Sequence, residues 1–440
     1  MKRLVFLIAA LVTGASASGR QLSLSEAIRL AEQHSWALRQ AMENAGAAGA
    51  TLEAAADNRW PNLSVTSSAM FKDEVPSFKI ELPAPIGTSL EREIGSKENY
   101  QADVQMTLPL FTGGKISGGI ELSTALHEAQ QFLVEASRQQ LYYQTRAAYL
   151  QVIQASRLLS AADASLRRTR LVMDDVRAMH DAGMADSVDL LEADLAVSES
   201  EHGVDQARSA LRVAQIELAI LLGLPVDEAL ELTDRPSPPA EPSGRDAAVS
   251  RPEIAAAAAV ARAKQHGVSV VAAEAWPDLA VFGGYSVGKP NQDFFNNEWN
   301  DYFSAGARLT WSFNLGGQAF ARADAARAEQ RAAQHEQEQV SEQVSRQAEI
   351  AYSGWQLSWQ SYQAARQRLE ITSANYRLAQ DKHRQGALSS NRLLEIEATL
   401  TAAESSHAAA EIDCRLARTA WLYAVGSDQL KQGFGNEQDH

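Results

Sequence analysis

The sequence contains one unit twice. Shifted by 203 positions, it lines up with itself over a long run without insertion or deletion. Thr107 falls on Thr310, Gly113-Gly114 on Gly316-Gly317, Ala148-Tyr149 on Ala351-Tyr352 and Leu166 on Leu369. Further on, His180 meets His383, Gly183 meets Gly386, Leu190-Leu191-Glu192 meets Leu393-Leu394-Glu395, and Gly223 meets Gly426. Upstream, Trp60-Pro61 answers Trp276-Pro277 at a shift of 216, so the first half holds a loop 13 residues longer. A repeat of about 200 residues overrides the two or three domains that length alone suggests, and it predicts equivalent roles for both copies.

Residues 1–17 have a basic start (Lys2, Arg3), an apolar run from Leu4 to Val12, and Ala15-Ser16-Ala17 before a cut. These are the parts of a secretory signal peptide, and the run is too short for a membrane span. Its removal takes the net charge from -15 to -17, which argues against a nucleic-acid partner. No cysteine follows the signal to carry a lipid. The single Cys414 permits no intrachain disulfide and reads as a small buried apolar residue. No other stretch reaches the ~18 apolar residues of a membrane helix.

Four segments alternate with period two, at 62–71, 101–110, 278–287 and 302–313. The first sets Leu63, Val65, Ala69 and Phe71 against Asn62, Ser64, Thr66 and Ser68. The second sets Ala102, Val104, Met106 and Leu108 against Gln101, Asp103, Gln105 and Thr107. In the third, Leu279, Val281, Tyr285 and Val287 share a side. In the fourth, Phe303, Ala305, Ala307, Leu309, Trp311 and Phe313 oppose Ser304, Arg308, Thr310 and Ser312. Each segment is close to the ~9–11 residues of a tilted membrane strand, and apolar-out, polar-in alternation suits a barrel around water. A soluble sheet with one wet face would fit any single strand equally well. Trp60, Tyr100, Trp276, Trp299 and Tyr302 lie near strand ends, where interfacial aromatics concentrate.

The rest reads as helix. Prolines are absent between Gly114 and Pro225 and after Gly317. Long helices are expected at 115–181 and 318–384, each roughly 100 Å long, with return helices at 187–222 and 390–425 of roughly 54 Å. Val152, Ala155, Leu159, Ala162, Leu166, Thr169, Met173 and Val176 keep a 3–4 spacing, matched by Trp355, Ser358, Tyr362, Ala365, Leu369, Thr372, Tyr376 and Ala379. Such seams predict side-by-side coiled-coil packing. Gly183 and Gly386 end the long helices, and Asp186 or Ser187 and Ser389-Ser390 start the returns. The chain thus divides into a signal peptide (1–17), a first repeat (18–223), a proline-rich exposed connector (224–252), a second repeat (253–426) and a polar tail (427–440).

Four strands cannot enclose a water-filled lumen, and open strand edges are not tolerated in hydrocarbon. If these strands enter a membrane, several copies must share one barrel. The chain resembles the TolC-like outer membrane efflux and secretion channels, or outer membrane factors, over nearly all of its mature length. Leu22-Ser23-Leu24-Ser25-Glu26-Ala27-Ile28 is similar to that family's opening. Arg251-Pro252-Glu253-Ile254 resembles its Asn-Pro-Glu-Leu helix start, whereas His34-Ser35-Trp36-Ala37-Leu38 drops the proline. Leu108-Pro109-Leu110-Phe111-Thr112-Gly113-Gly114 is a family hallmark at the strand-to-helix junction, and Trp311-Ser312-Phe313-Asn314-Leu315-Gly316-Gly317 is its second copy. Pro109, Gly113, Gly114, Gly316 and Gly317 are therefore the junction residues.

The resemblance implies a mainly α protein with β: an outer-membrane β-barrel of four strands per protomer, twelve in a homotrimer, continuous with a periplasmic α-helical barrel. It implies docking through a periplasmic adaptor onto an inner-membrane transporter, contact with outer-membrane lipid, and passive conduction without cofactor. Ala182-Gly183-Met184 and Gln385-Gly386-Ala387 fall on the tips that meet the adaptor, making Gly183, Met184, Gly386 and Ala387 the contact candidates. The family's entrance constriction falls on Asp189, Glu192, Arg392 and Glu395, with Arg392 where an Asp is usual. The closing Tyr and Arg would fall on His383 and Leu388. An Asp189–Arg392 pair is one candidate substitute for that lock; two solvated charges on different faces are the alternative.

No histidine has a Cys or carboxylate partner at metal spacing, and His180 and His383 are assigned to the tip surface. The paired glycines lack the Lys-Ser/Thr ending of a phosphate loop, and no nucleophile–base arrangement is suggested. Two rivals to an export duct are a soluble periplasmic coiled-coil adaptor and an exported enzyme with helical decoration.

Overall fold

A computed structural model describes residues 20–81, 87, 89–234, 236–245, 247–292, 296–312 and 315–434. The signal peptide expected at 1–17, Phe313 of the fourth strand and tail residues 435–440 lie outside the described residues. In chain order the elements are β1 (Arg20–Leu22), α1 (Leu24–His34), α2 (Trp36–Asp57), β2 (Asn62–Phe71), β3 (Ser77–Glu81), β4 (Ser89–Glu93) and β5 (Glu98–Phe111). Then come α3 (Lys115–Asp181), α4 (Ser187–Leu222), β6 (Leu230–Leu232), α5 (Pro252–Ala273), β7 (Asp278–Lys289), β8 (Asn300–Thr310), α6 (Gln318–Arg384) and α7 (Ser390–Val425). The chain forms two compact units, one of Met1–Met42, Leu133–Ile254 and Val340–His440, the other of Glu43–Phe132 and Ala255–Gln339.

The first unit is helical. Ser23 caps α1 by accepting from the Glu26 amide at 3.2 Å, so the Leu22–Ile28 string becomes a strand end and a capped helix. Leu22, Leu24, Ala27 and Ile28 then pack with Tyr149, Leu150, Leu218, Leu222 and Ile412. The Tyr149 hydroxyl donates to the Leu22 carbonyl at 2.9 Å. The seam residues of α3 and α6 are all buried or half-buried: Trp355 and Tyr362 join Tyr352, Cys414 and Trp421, and Met173, Val176, Tyr376 and Ala379 pack with Leu393, Ile396 and Leu400.

One expectation for this unit is extended and another is corrected. The connector at 224–252 is mostly exposed but not free, because its Leu230–Leu232 pairs in parallel with Arg20–Leu22. Apolar Leu230 and Leu232 make a short strand between the prolines and turns. The tail at 427–440 is not simply polar. Asp428–Lys431 forms a short 3-10 turn, Leu430 and Phe434 are buried, and Arg146 donates to the Gln432 carbonyl at 2.7 Å while lying over the Phe434 ring.

The second unit holds an antiparallel sheet in the order β2-β5-β7-β8. Three strand limits differ from expectation: 101–110 is Glu98–Phe111, 278–287 is Asp278–Lys289, and 302–313 is Asn300–Thr310. β5, which lies between two partners, lengthens at both ends, whereas β8 starts two residues earlier and ends three earlier than expected. The longer loop of the first half carries the β3–β4 hairpin, pairing Ser77–Glu81 with Ser89–Glu93. Pro109, which has no N–H to give, sits beyond Thr107, the last β5 residue paired with β2, and next to a register shift against β7.

The two junctions, aligned in sequence, differ in backbone. Gly113 and Gly114 both have positive φ (62° and 92°), whereas of the second pair only Gly317 does (77°). A Cβ on Gly113 would lie 2.5 Å from the Trp276 Cβ and 2.9 Å from the Ala273 carbonyl oxygen, whereas one on Gly317 would meet nothing within 4 Å. Only glycine lets α3 start against the Trp276 turn. Gly113→Ala should therefore cost about 3 kcal/mol and Gly317→Ala only about 1 kcal/mol, from backbone strain alone. Thermal unfolding of the detergent-solubilised protein should show that order.

Candidate functional site

Both long helices end identically. After α3 the Gly183 amide bonds the His180 carbonyl and the Met184 amide bonds the Met179 carbonyl, each at 2.8 Å. After α6 the Gly386 amide bonds His383 and the Ala387 amide bonds Lys382, again at 2.8 Å. These are Schellman caps, with Gly183 at φ 74° and Gly386 at φ 73°. A Cβ on either glycine would meet nothing within 4 Å. The tips are thus open surface, with Met184 and Ala387 exposed beside them.

The four charged candidates have different local duties. Asp186 caps α4 by accepting from the Val188 and Asp189 amides at 2.7 and 3.0 Å, and the Asp189 carboxylate accepts the Asp186 amide at 3.4 Å. This capping box turns Asp189 back along its own chain. Its other oxygen accepts from Asn391 Nδ2 at 3.4 Å, joining α4 to α7. Glu192 is exposed on α4. Arg392 and Glu395 are exposed and pair with each other at 2.5 Å. Within the chain, then, the Asp189–Arg392 pair does not form, because each group has a nearer partner in its own helical turns. His383 is a second correction. It is buried rather than on the tip surface, and its Nδ1 donates to the Leu388 carbonyl at 2.9 Å, closing the turn from inside.

A network that the sequence did not disclose lies farther along the same helices. Arg168 of α3 donates to Glu397 at 3.1 Å, to Glu404 at 2.8 Å and to Thr401 at 3.0 Å, all on α7. Ser165 and Thr401 also donate to Glu397, at 2.9 and 2.7 Å. Burial alone would lower the Arg168 pKa, but the hydrogen bonds and charges of Glu404 and Glu397 outweigh it and hold it above its ordinary value. Partners more than 220 residues apart leave no local pattern to read. Glu397→Ala would strand three donors at a nearly buried position and should cost about 3 kcal/mol. Faster amide exchange along α3 and α7 is the expected sign, and unchanged exchange would count against this role.

The sheet presents two unlike faces. Register places Leu63, Val65, Val104, Met106, Val281, Tyr285, Phe303 and Leu309 on one side. The other side carries rows such as Ser64–Gln105–Gly284–Ser304 and Thr66–Asp103–Ser286–Tyr302. Trp60, Trp276 and Trp299 are exposed near strand ends, and Tyr100 stacks with Trp299 at 6.3 Å. Tyr302 is on the polar face, apart from that aromatic set.

Known proteins share both sequence and fold with this chain. A family model described as outer membrane efflux protein matches residues 27–224 and 244–427. The chain is 27% identical over 243 residues to the fusaric acid resistance protein FusA of Burkholderia cepacia, covering 53% of this chain and 46% of that protein. It thus spans about half the length of the curated relative it matches. Among solved structures, the outer-membrane channel OprN aligns with a TM-score of 0.74 at 21% identity, over 92% of this chain and 90% of the other. CusC aligns with a TM-score of 0.76 at 16% identity, over 92% of each chain. Those structures establish the shared fold, and since the family match takes in most of the sequence, the chain belongs to the outer membrane efflux protein family.

Proposed function

We propose that three copies of this chain assemble into one duct that passively carries cargo across the outer membrane. The observation that carries this reading is the pair of free sheet edges. Among the described strands, β2 pairs only with β5 and β8 only with β7, leaving the outer backbone groups of both without partners. Hydrocarbon does not tolerate such groups, and four strands cannot close on themselves around water. All neighbouring pairs in the sheet are antiparallel, so β2 and β8 run in opposite directions. The β8 edge of one copy can therefore meet the β2 edge of the next without breaking the alternation, and three copies give a closed ring of twelve strands.

The helices support the same ring. On α6, Ile350, Leu357, Ile371 and Leu378 are all exposed and lie seven or fourteen residues apart. This second seam is separate from the one packed inside the chain. On α4, Val188, Leu191, Leu195, Val213 and Ile220 are also exposed and share one helical stripe. Measured from the tips the stripes match: Leu378 is eight residues before Gly386 and Leu191 eight after Gly183, with Leu357 and Val213 at 29 and 30, and Ile350 and Ile220 at 36 and 37. At 1.5 Å per residue, each pair lies at the same height to within ~1.5 Å. So α6 of one copy can pack antiparallel along α4 of the next, apolar layer on apolar layer.

Within this reading the tips around Gly183, Met184, Gly386 and Ala387 receive a periplasmic adaptor. An inner-membrane transporter behind the adaptor supplies the energy. Asp189, Glu192, Arg392 and Glu395 line the mouth, where rings of charge from three copies would focus potential. The relative named for fusaric acid resistance makes that acid a reasonable first cargo to assay. A soluble adaptor would not need two free strand edges flanking an apolar face.

A Leu191→Cys/Leu378→Cys variant should give a disulfide-linked trimer in the membrane fraction. Monomer recovered without detergent would overturn the assembly. Replacing Gly183 or Gly386 by a bulky residue should abolish export while trimers still insert, because the open tips leave room for the side chain and the left-handed backbone adds only about 1 kcal/mol of local strain. Normal export by both variants would refute the tip assignment.

A further inference from the structure

The polar face of the sheet carries a feature that assembly alone does not require. On the strands β2, β5, β7 and β8, register assigns only Asp103, Asp278 and Arg308 to that face among the charged residues, with Glu98, Lys289 and Asp301 on the other. Asp278 and Arg308 sit at the helix end, with Arg308 in the row of Ala280 and Pro109 and its guanidinium over the Phe282 ring. Six residues along β5 separate that row from Asp103, roughly 20 Å in a strand. Asp103 is therefore remote from the nearest cation on its face.

Its surroundings are built of hydrogen-bonding groups. Thr66, Ser286 and Tyr302 share its row, and together with Gln101 and Gln105 they line one cleft. Gln101 Nε2 donates to one Asp103 oxygen at 3.1 Å. Ser286 is 5% exposed, and its hydroxyl oxygen is buried without a hydrogen-bond partner in the chain. A buried hydroxyl beside a carboxylate, with no bond of its own, is costly unless something completes it.

We infer that the Asp103–Ser286 cleft is a weak subsite for cations that donate hydrogen bonds, such as the primary ammonium group of an organic amine. The carboxylate supplies the charge, and the Ser286 oxygen and the Tyr302 and Thr66 hydroxyls supply acceptors for N–H donors. The inference rests on the proposed duct, in which this face lines the lumen and three such clefts form one level near the exit. Weak, repeated sites suit conduction, because cargo must leave as readily as it binds.

The test uses the purified full-length protein in planar bilayers, with potassium, methylammonium or tetramethylammonium chloride as probes. Three carboxylates at roughly 10 Å predict that Asp103→Asn lowers the cation-over-anion permeability ratio about fivefold near 0.1 M salt, and more at 0.01 M. The permeability of methylammonium, which has N–H donors, relative to that of tetramethylammonium should fall below its wild-type value in both Asp103→Asn and Ser286→Ala. The second variant keeps every charge and the fold, so it isolates the hydroxyl. Channels that form normally but show wild-type ratios in both variants overturn the subsite and leave the duct intact. An equal loss for both ammonium ions reduces Asp103 to a general charge and overturns the hydrogen-bonding cleft. A wild-type protein that forms no channels overturns the duct and the subsite together.

Discussion

Everything in this fold follows from where backbone amides find partners once water is withdrawn. A helix satisfies its own, so α3 and α6 can run for 67 residues each without help. A four-stranded sheet cannot, because its first and last strands keep one unsatisfied side. In water that would be a liability to aggregate. In lipid it is prohibitive, and a neighbouring copy is the available remedy. The amphipathic faces, the aromatic strand ends and the antiparallel order are all compatible with that remedy.

The helices solve a related problem with side chains. α6 has one seam for its own chain, built from Trp355, Tyr362, Tyr376 and Ala379, and another that faces outward. Inside the chain, the contact between α3 and α7 adds a polar network around Arg168, whose geometry admits little sliding. The outward stripe on α6 is apolar, and that on α4 is apolar at both ends with His202 and Gln206 between them. Contacts within a chain are thus directional, whereas those offered to another chain are forgiving of small shifts in register.

Much of this was legible in the sequence because it is local. Strand alternation is visible in ten residues, the seams in thirty, and the helix ends in a glycine followed by Asp186 or Ser389. What escaped was either long-range or conditional. The β1–β6 pairing joins residues about 210 apart, and the Arg168 network spans more. A polar residue near a tip usually lies on the surface, but the bond from His383 to the Leu388 carbonyl turns it inward. Asp189 was read as one of a pair of opposed charges, but its carboxylate is already engaged by the Asp186 amide. The hairpin at Ser77–Glu93 hid in what looked like loop, since neither strand exceeds five residues.

The outward stripe on α6 has no counterpart on α3. Moved back by 203 positions, Ile350, Leu357, Ile371 and Leu378 become Ala147, Gln154, Arg168 and Asp175. The two halves of the polypeptide, so alike at their glycines, are therefore not interchangeable in a closed assembly. Six copies of one half could not reproduce it, since a ring of identical members needs every member to offer both surfaces. In the proposed ring each half would therefore turn a different helix toward its neighbour, the first its return helix α4 and the second its long helix α6.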